Sequence, residues 1–368
     1  MWQTAVQMFS QPMPGITMYH ETHIFLLTAL AFALLIAPEP ALAQDVKART
    51  SDTLTVYLEN DFLQDTDRYY THGSKISWVS RDLLSYRDAG FLPVWMETGI
   101  KRLPWINHPG RRYTVSLSFG QNIYTPDDKE QSALIPDDRP YAGITYLGIG
   151  LHSRSALQMD TLELNFGIIG PHSYAEDCQK TVHHWTDSAD ARGWTNQLHD
   201  EPIVNVYFER KWKILKIRNA DGLGLDCIPH AGLALGNAYI GTNMGGQLRL
   251  GWNIPNDFGT YLIRPGSDSS APLDDSDPRF FLPFHRFGLH LFLAVDGKAV
   301  LRNILLDGNT FRDSHSVSKK PFVADLIGGM GLMIHQVKIT YSHVYRTNEF
   351  DTQKSKQHFG ALSVSFTF

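Results

Sequence analysis

The sequence predicts an all-β chain, a transmembrane antiparallel β-barrel of about twelve strands with a short helix in an extracellular loop. Three observations predict it. At the C-terminus, Leu362, Val364, Phe366 and Phe368 share one parity and Ser363, Ser365 and Thr367 the other, the pattern of a strand with one face in oil and one in a polar space. As a bare sheet edge such a strand is a liability; in a barrel it closes against the first strand. Near the other end, Ile24 to Ala37 is an apolar run of signal-peptide length, and Ala41-Leu42-Ala43 carries the small residues of a cleavage site. Alternating segments fill the rest of the chain, and no later run reaches the roughly 18 apolar residues of a spanning helix.

Cleavage is expected after Ala43, with Met18 as the start, leaving residues 44–368 as the barrel domain. Met18 to His23 contains no Lys or Arg, so the segment before the apolar run is uncharged at its basic positions. Aromatics at 12% and 29 glycines suit interfacial girdles and tight turns, and a mean hydropathy of −0.23 fits alternation between lipid and lumen. A formal charge of −5 argues against a nucleic-acid partner. Cys178 and Cys227 make no disulfide framework, and the topology below separates them across the membrane.

In chain order the strand-like segments are Thr53 to Glu59, Thr71 to Ser80, Tyr113 to Tyr124, Ala142 to His152, Leu162 to Ile169, Ile203 to Ile214, Leu225 to Gly236 and Gln247 to Ile254. Phe287 to Val295, Ala299 to Leu306, Phe322 to Ile334, Val337 to Val344 and the closing strand from Phe359 follow. An odd total does not close a bacterial barrel, so the pair around Gly297 is read as one bent strand. Arg81 to Arg112 and Pro255 to Arg286 are long connections, the second acidic at Asp274-Asp275-Ser276-Asp277. Gly170 to Glu201 is a loop with a helix: Ser173-Tyr-Ala-Glu176 has a capping-box pattern, Tyr174 to Arg192 lacks Gly and Pro, and Gly193 stands at the C-cap position. With the N-terminus periplasmic, the polar clusters all fall on the extracellular face.

Three of those clusters carry candidate chemistry. Asn60-Asp61 and Thr71 face each other across the first hairpin, and their carboxylate, amide and hydroxyl oxygens suit a hard cation such as Ca²⁺; from spacing alone a polar turn with Tyr69 and Tyr70 in the aromatic girdle is the commoner reading, since Asp-rich loops are frequent at turns. On the predicted helix, His183 has Gln179 one turn before and Asp187 one turn after, the setting of a general base, whereas adjacent His184 lies on another face. The two histidines as a zinc pair, or as solvated helix residues, are the alternatives. In the loop from Pro126 to Gly143, Lys129 and Arg139, together with Arg68 of the hairpin, are candidates to face anionic headgroups or phosphates; Asp138-Arg139-Pro140 also reads as a turn with an ion pair.

Asn60-Asp61, Tyr70-Thr71-His72-Gly73, Asn122-Ile-Tyr124-Thr-Pro126, Asp138-Arg139, Gly167-Ile-Ile-Gly-Pro171 and a helix with His183 occur in this order. With Asn253-Ile-Pro-Asn-Asp-Phe-Gly259 and Leu305-Leu-Asp-Gly-Asn309, they resemble the LpxR-type lipid A 3′-O-deacylases over nearly all of the chain after residue 43. The resemblance implies an outer-membrane barrel that removes the 3′-linked acyloxyacyl chain of lipid A in a Ca²⁺-dependent ester hydrolysis. It assigns catalytic roles to His183, Asn60, Thr71 and Lys129 and metal contact to Asp61 and Asn60. Lys129 requires a one-residue gap in its loop, and the family's glutamate after the histidine is replaced by Ala189, leaving Asp187 or Asp190 to substitute. It further implies lipopolysaccharide as partner, an integral outer-membrane location with the site on the outer-leaflet side, and a monomer. A phospholipase barrel and a non-catalytic barrel or porin are the competing functions.

Overall fold

The computed structural model describes residues 50–61, 69–92, 94–100, 102–103, 105–108, 110–186, 190–280 and 287–368. The expected signal segment, Arg68, and Asp187 to Ala189 lie outside these. The chain folds into a closed antiparallel barrel of 12 strands. They are β1 (Thr53–Asn60), β2 (Tyr69–Val79), β3 (Arg112–Thr125), β4 (Ala142–Arg154), β5 (Gln158–Ile169) and β6 (Glu201–Trp212, resumed at Leu215–Arg218). Then come β7 (Leu223–Gly236), β8 (Tyr239–Trp252), β9 (Phe287–Asn303), β10 (Phe322–Ile334), β11 (Val337–Arg346) and β12 (Gln357–Thr367). Each strand pairs with its neighbours in sequence, and β12 closes on β1 with Thr53 opposite Thr367 and Asn60 opposite Gly360.

The closing-strand parity appears as expected. Leu362, Val364, Phe366 and Phe368 point outward, while Ser363, Ser365 and Thr367 are buried, with Thr55 donating to Ser365 at 2.9 Å inside. An outer belt of exposed apolar residues, among them Leu147, Leu235, Leu250, Leu291 and Leu326, surrounds the wall. The residues around Gly297 form one continuous strand, β9; it ends at Asn303, whose side chain accepts from Leu305 N and caps a helical turn, Ile304–Asp307. The segment Ala299 to Leu306 therefore ends earlier as strand than its pattern suggests. Cys178 lies on the loop helix at one rim and Cys227 opposes Leu215 near the other, and both are free.

The sequence reading missed how the lumen is filled. The connection after β8 folds back into the barrel as a plug rather than spreading as a solvated acidic loop. Asp257 is buried between Arg249 (2.5 Å), Lys338 (2.6 Å) and Arg279 (3.4 Å). Asp268 takes Lys75 at 3.0 Å, Arg264 pairs with Glu209, and Glu163 accepts from Gly266 N at 2.7 Å. Lumen-facing charges on the strands thus meet partners on the plug, as buried charges must. Higher up, Ile263 N donates to Glu59 at 2.5 Å, near the opposite rim. There the segment after Asn303 crosses the mouth: His315 contacts the Asp138 carbonyl at 2.7 Å, and Thr310 N donates to Glu201 at 2.7 Å. Between plug and cap remains a cavity of about 240 Å³ lined by Tyr70, Tyr124, Tyr146, Tyr207 and Tyr239. Plug and cap residues thus occupy the lumen on either side of this cavity.

Candidate active site on the outer wall

At the rim away from the chain termini, a β-bulge sets the first functional side chain. Tyr70 pairs with Tyr124 and His72 with Ile123, so Thr71 is the extra residue between them. Tyr70 points inward and donates to Glu59 at 2.8 Å. Thr71 instead lies 2.8 Å from the Thr125 hydroxyl, buried. Without the bulge, strict alternation could not present Thr71 and His72 near the same outer surface. Asn60, last residue of β1, faces outward with its amide nitrogen 3.5 Å from His72 Nδ1. Asp61 follows and is 0% exposed. Lys129 is close enough for the two charges to interact: burial pushes the Lys129 ammonium pKa down, and the Asp61 carboxylate opposes that by pulling it up.

The loop helix, Ala175–Thr186, packs on the outside of β3 and β4. Ile123, Tyr141, Ala175, Ala191 and Trp194 form the contact, and Trp194 donates to Gln179 Oε1 at 2.8 Å. Gly143 permits the approach, because a Cβ there would sit 2.1 Å from that of Ala175. Ala175, Gln179 and His183 repeat every fourth residue and all three are buried, His183 at 6%, whereas His184 is exposed. The Lys129 carbonyl accepts from Tyr141 Oη and Arg192 N, each at 2.8 Å, which ties the lysine loop to the segment after the helix.

The helix boundaries differ from the sequence expectation. It starts at Ala175, after a 3₁₀ turn Pro171–Ser173 and a left-handed Tyr174, and the Ser173 hydroxyl donates to the Gly170 carbonyl instead of capping. Its described residues run to Thr186 and Asp190 is no longer helical, and Gly193, at φ −92°, precedes a second 3₁₀ turn rather than serving as a left-handed cap. Short-range hydrogen bonding by Ser and the wall contact at Gly143 override the capping pattern.

The family model described as "Outer membrane protein LpxR" matches residues 26–368. The chain belongs to the LpxR family. The structure of LpxR from Salmonella typhimurium superposes with a TM-score of 0.64 at 17% identity, covering 86% of this chain and all of that one, and supports the same barrel fold. The β-domain of the Bordetella autotransporter BrkA, at 8% identity and a TM-score of 0.40 over 86% of this chain and 98% of that one, is a more distant barrel. No curated protein sequence matches the chain.

As an LpxR-family barrel, the chain is an outer-membrane protein. Within it, Asn60, Asp61, Thr71, Lys129 and the helix with His183 share one rim. Arg139 is a different case. Its side chain is 0% exposed, paired with Glu349 at 3.2 Å and stacked 4.6 Å over the Tyr124 ring, so the structure points it toward the barrel interior and not toward a headgroup. The ion pair read between Asp138 and Arg139 is replaced by this one; Asp138 accepts instead from the Asp127 and Arg139 amides. Arg68 and Asp187 lie outside the described residues, and Asp190 is exposed. Sequence reasoning passed over His72 and Thr125 as site residues. The signal was the bulge, which requires knowing the β2–β3 register. Among the described residues no three His, Cys, Asp or Glu side chains gather as a metal site. The donors present are a carboxylate, an amide and hydroxyls, all hard oxygens of the kind Ca²⁺ takes alongside backbone and water oxygens.

Proposed function

We propose that the chain is an outer-membrane hydrolase that modifies lipid A by removing its 3′-O-linked acyloxyacyl chain. The observation that supports this best is that buried His183 on the loop helix, buried Asp61 with half-buried Lys129 near enough to feel its charge, and buried Thr71 lie at one rim of an LpxR-family barrel. In this reading neutral His183 accepts a proton from water as the water oxygen attacks the ester carbonyl, then returns it to the departing sugar oxygen. The Lys129 ammonium offers positive charge to the oxyanion, and Thr71 orients the ester or water by its hydroxyl. Asp61 and the Asn60 amide oxygen would hold Ca²⁺, which when bound adds charge stabilisation of the oxyanion. Bringing acyl chains to a lipid-facing wall spares them extraction from the membrane, which a site inside the blocked lumen would demand.

Two measurements bear on this. Mass spectrometry of lipid A exposed to purified protein is expected to show loss of one acyloxyacyl unit, abolished by chelation and restored by Ca²⁺; restoration by Zn²⁺ alone would move the metal to the histidines. Release of fatty acid from glycerophospholipids instead would favour the phospholipase reading. For orientation, a cysteine introduced beside Gly193 in a background lacking Cys178 and Cys227 is expected to label in intact cells. Labelling only after lysis would reverse the proposed sidedness.

A further inference from the structure

Polar side chains are uncommon on a lipid-bathed wall, yet this barrel gathers several beside the site. On β11, Val344 is buried in the interior, so His343 and Tyr345 face out; on β12, buried Phe359 and Ala361 leave His358 and Gly360 outward. The His343 and His358 rings lie 5.7 Å apart, tilted by 34°, and Tyr345 meets His358 edge-on at 4.9 Å. Exposed Lys356 sets its ammonium 5.0 Å from the Tyr345 ring centre, held near the wall by cation–π attraction. His343 opposes Gly360, and Gly360 opposes Asn60, which touches His72. The row therefore runs unbroken into the candidate active site. Gly360 adds no side chain, leaving a notch between His343 and Asn60, whose Cα atoms are roughly 10 Å apart at the usual strand spacing. The outward positions of β11, β12 and β1 carry no carboxylate.

We propose that Lys356, His343 and His358 form a subsite for a phosphate monoester on the substrate's headgroup, seating it beside the ester to be cut. This rests on the reading of the chain as a lipid A hydrolase. An ammonium and imidazole N–H donors, on a face whose outward strand positions hold no carboxylate, match a phosphate in charge and in hydrogen bonding. Aromatic packing around Lys356 lowers the entropy lost on binding.

The test uses the full barrel in detergent micelles and lipid A either phosphorylated or stripped of phosphate. Lys356→Gln with His358→Gln is expected to raise KM for the phosphorylated lipid roughly tenfold, the size of one charge-assisted contact, with kcat little changed. The stripped lipid should be cut alike by variant and parent, and Lys356→Arg should restore the parent KM. Equal losses on both lipids, or none on either, would overturn the subsite. Retention of the parent and the double variant on micelles doped with each lipid reads binding without turnover, so the subsite stays testable even if no acyl chain is released. Binding of inorganic phosphate lost in the variant, with lipid retention unchanged, would assign the patch to free phosphate and refute the headgroup.

Discussion

Replacing His183 with Ala is expected to cut ester hydrolysis by a factor of about 10² to 10⁴, the range for losing a general base. His184→Ala is expected to keep most activity. The contrast comes from one helix face: Ala175, Gln179 and His183 are turned to the wall, and His184 stands exposed. Because both imidazoles sit on the same helix, the two variants share any effect of composition or of helix propensity. Thr71→Ala belongs in the same series. Its hydroxyl is 2.8 Å from Thr125, so a positioning role predicts a partial loss, whereas a nucleophile would leave no turnover at all. Mass spectrometry of lipid A over a time course reads all three. Equal activity of the two histidine variants would end the general-base assignment and leave the fold untouched.

The second large effect is expected in the plug. Asp257→Ala removes a buried carboxylate shared by Arg249, Arg279 and Lys338. Arg249 keeps Asp226 at 2.5 Å and Arg279 keeps Asp277 at 2.8 Å, so the damage concentrates on Lys338. Breaking a buried ion pair from one side costs about 3–5 kcal/mol. That cost is expected as a lower midpoint of heat-modified mobility on gels and as ionic conductance in planar bilayers where the parent is silent. Adding Lys338→Met should recover part of the midpoint, because it removes the stranded ammonium and fills similar volume. An unchanged midpoint together with continued silence would show that the plug does not depend on this node.

Much of the wall was legible from parity alone. From Leu362 onward the closing strand reads correctly because each outward residue is apolar and each inward one is small and polar, and the pair around Gly297 joins because an odd number of strands cannot close a barrel. The plug was not legible. Its acids look like those of any solvated loop, and their partners lie far off in sequence: Asp268 meets Lys75, and Asp257 meets Lys338. Lysines at the inward parity of strands were the available hint, since a lumen holding Lys75, Lys211 and Lys338 must also hold counter-charges. At the site, helical spacing separated His183 from His184. The burial of Arg139 escaped notice because its partner Glu349 comes from a loop more than two hundred residues later.

Closure by Thr53 against Thr367 sets a condition on biogenesis. The ladder that seals the wall joins nearly the first described residue to nearly the last, so no shorter piece of the barrel has both edges satisfied. In oil every unpaired amide or carbonyl costs several kcal/mol, and an incomplete chain would expose two whole edges of them. Loss of the whole final strand is therefore expected to leave β1 and β11 unpaired and no stable barrel in the membrane, so the seam between the two ends of the wall is the last step on which assembly depends.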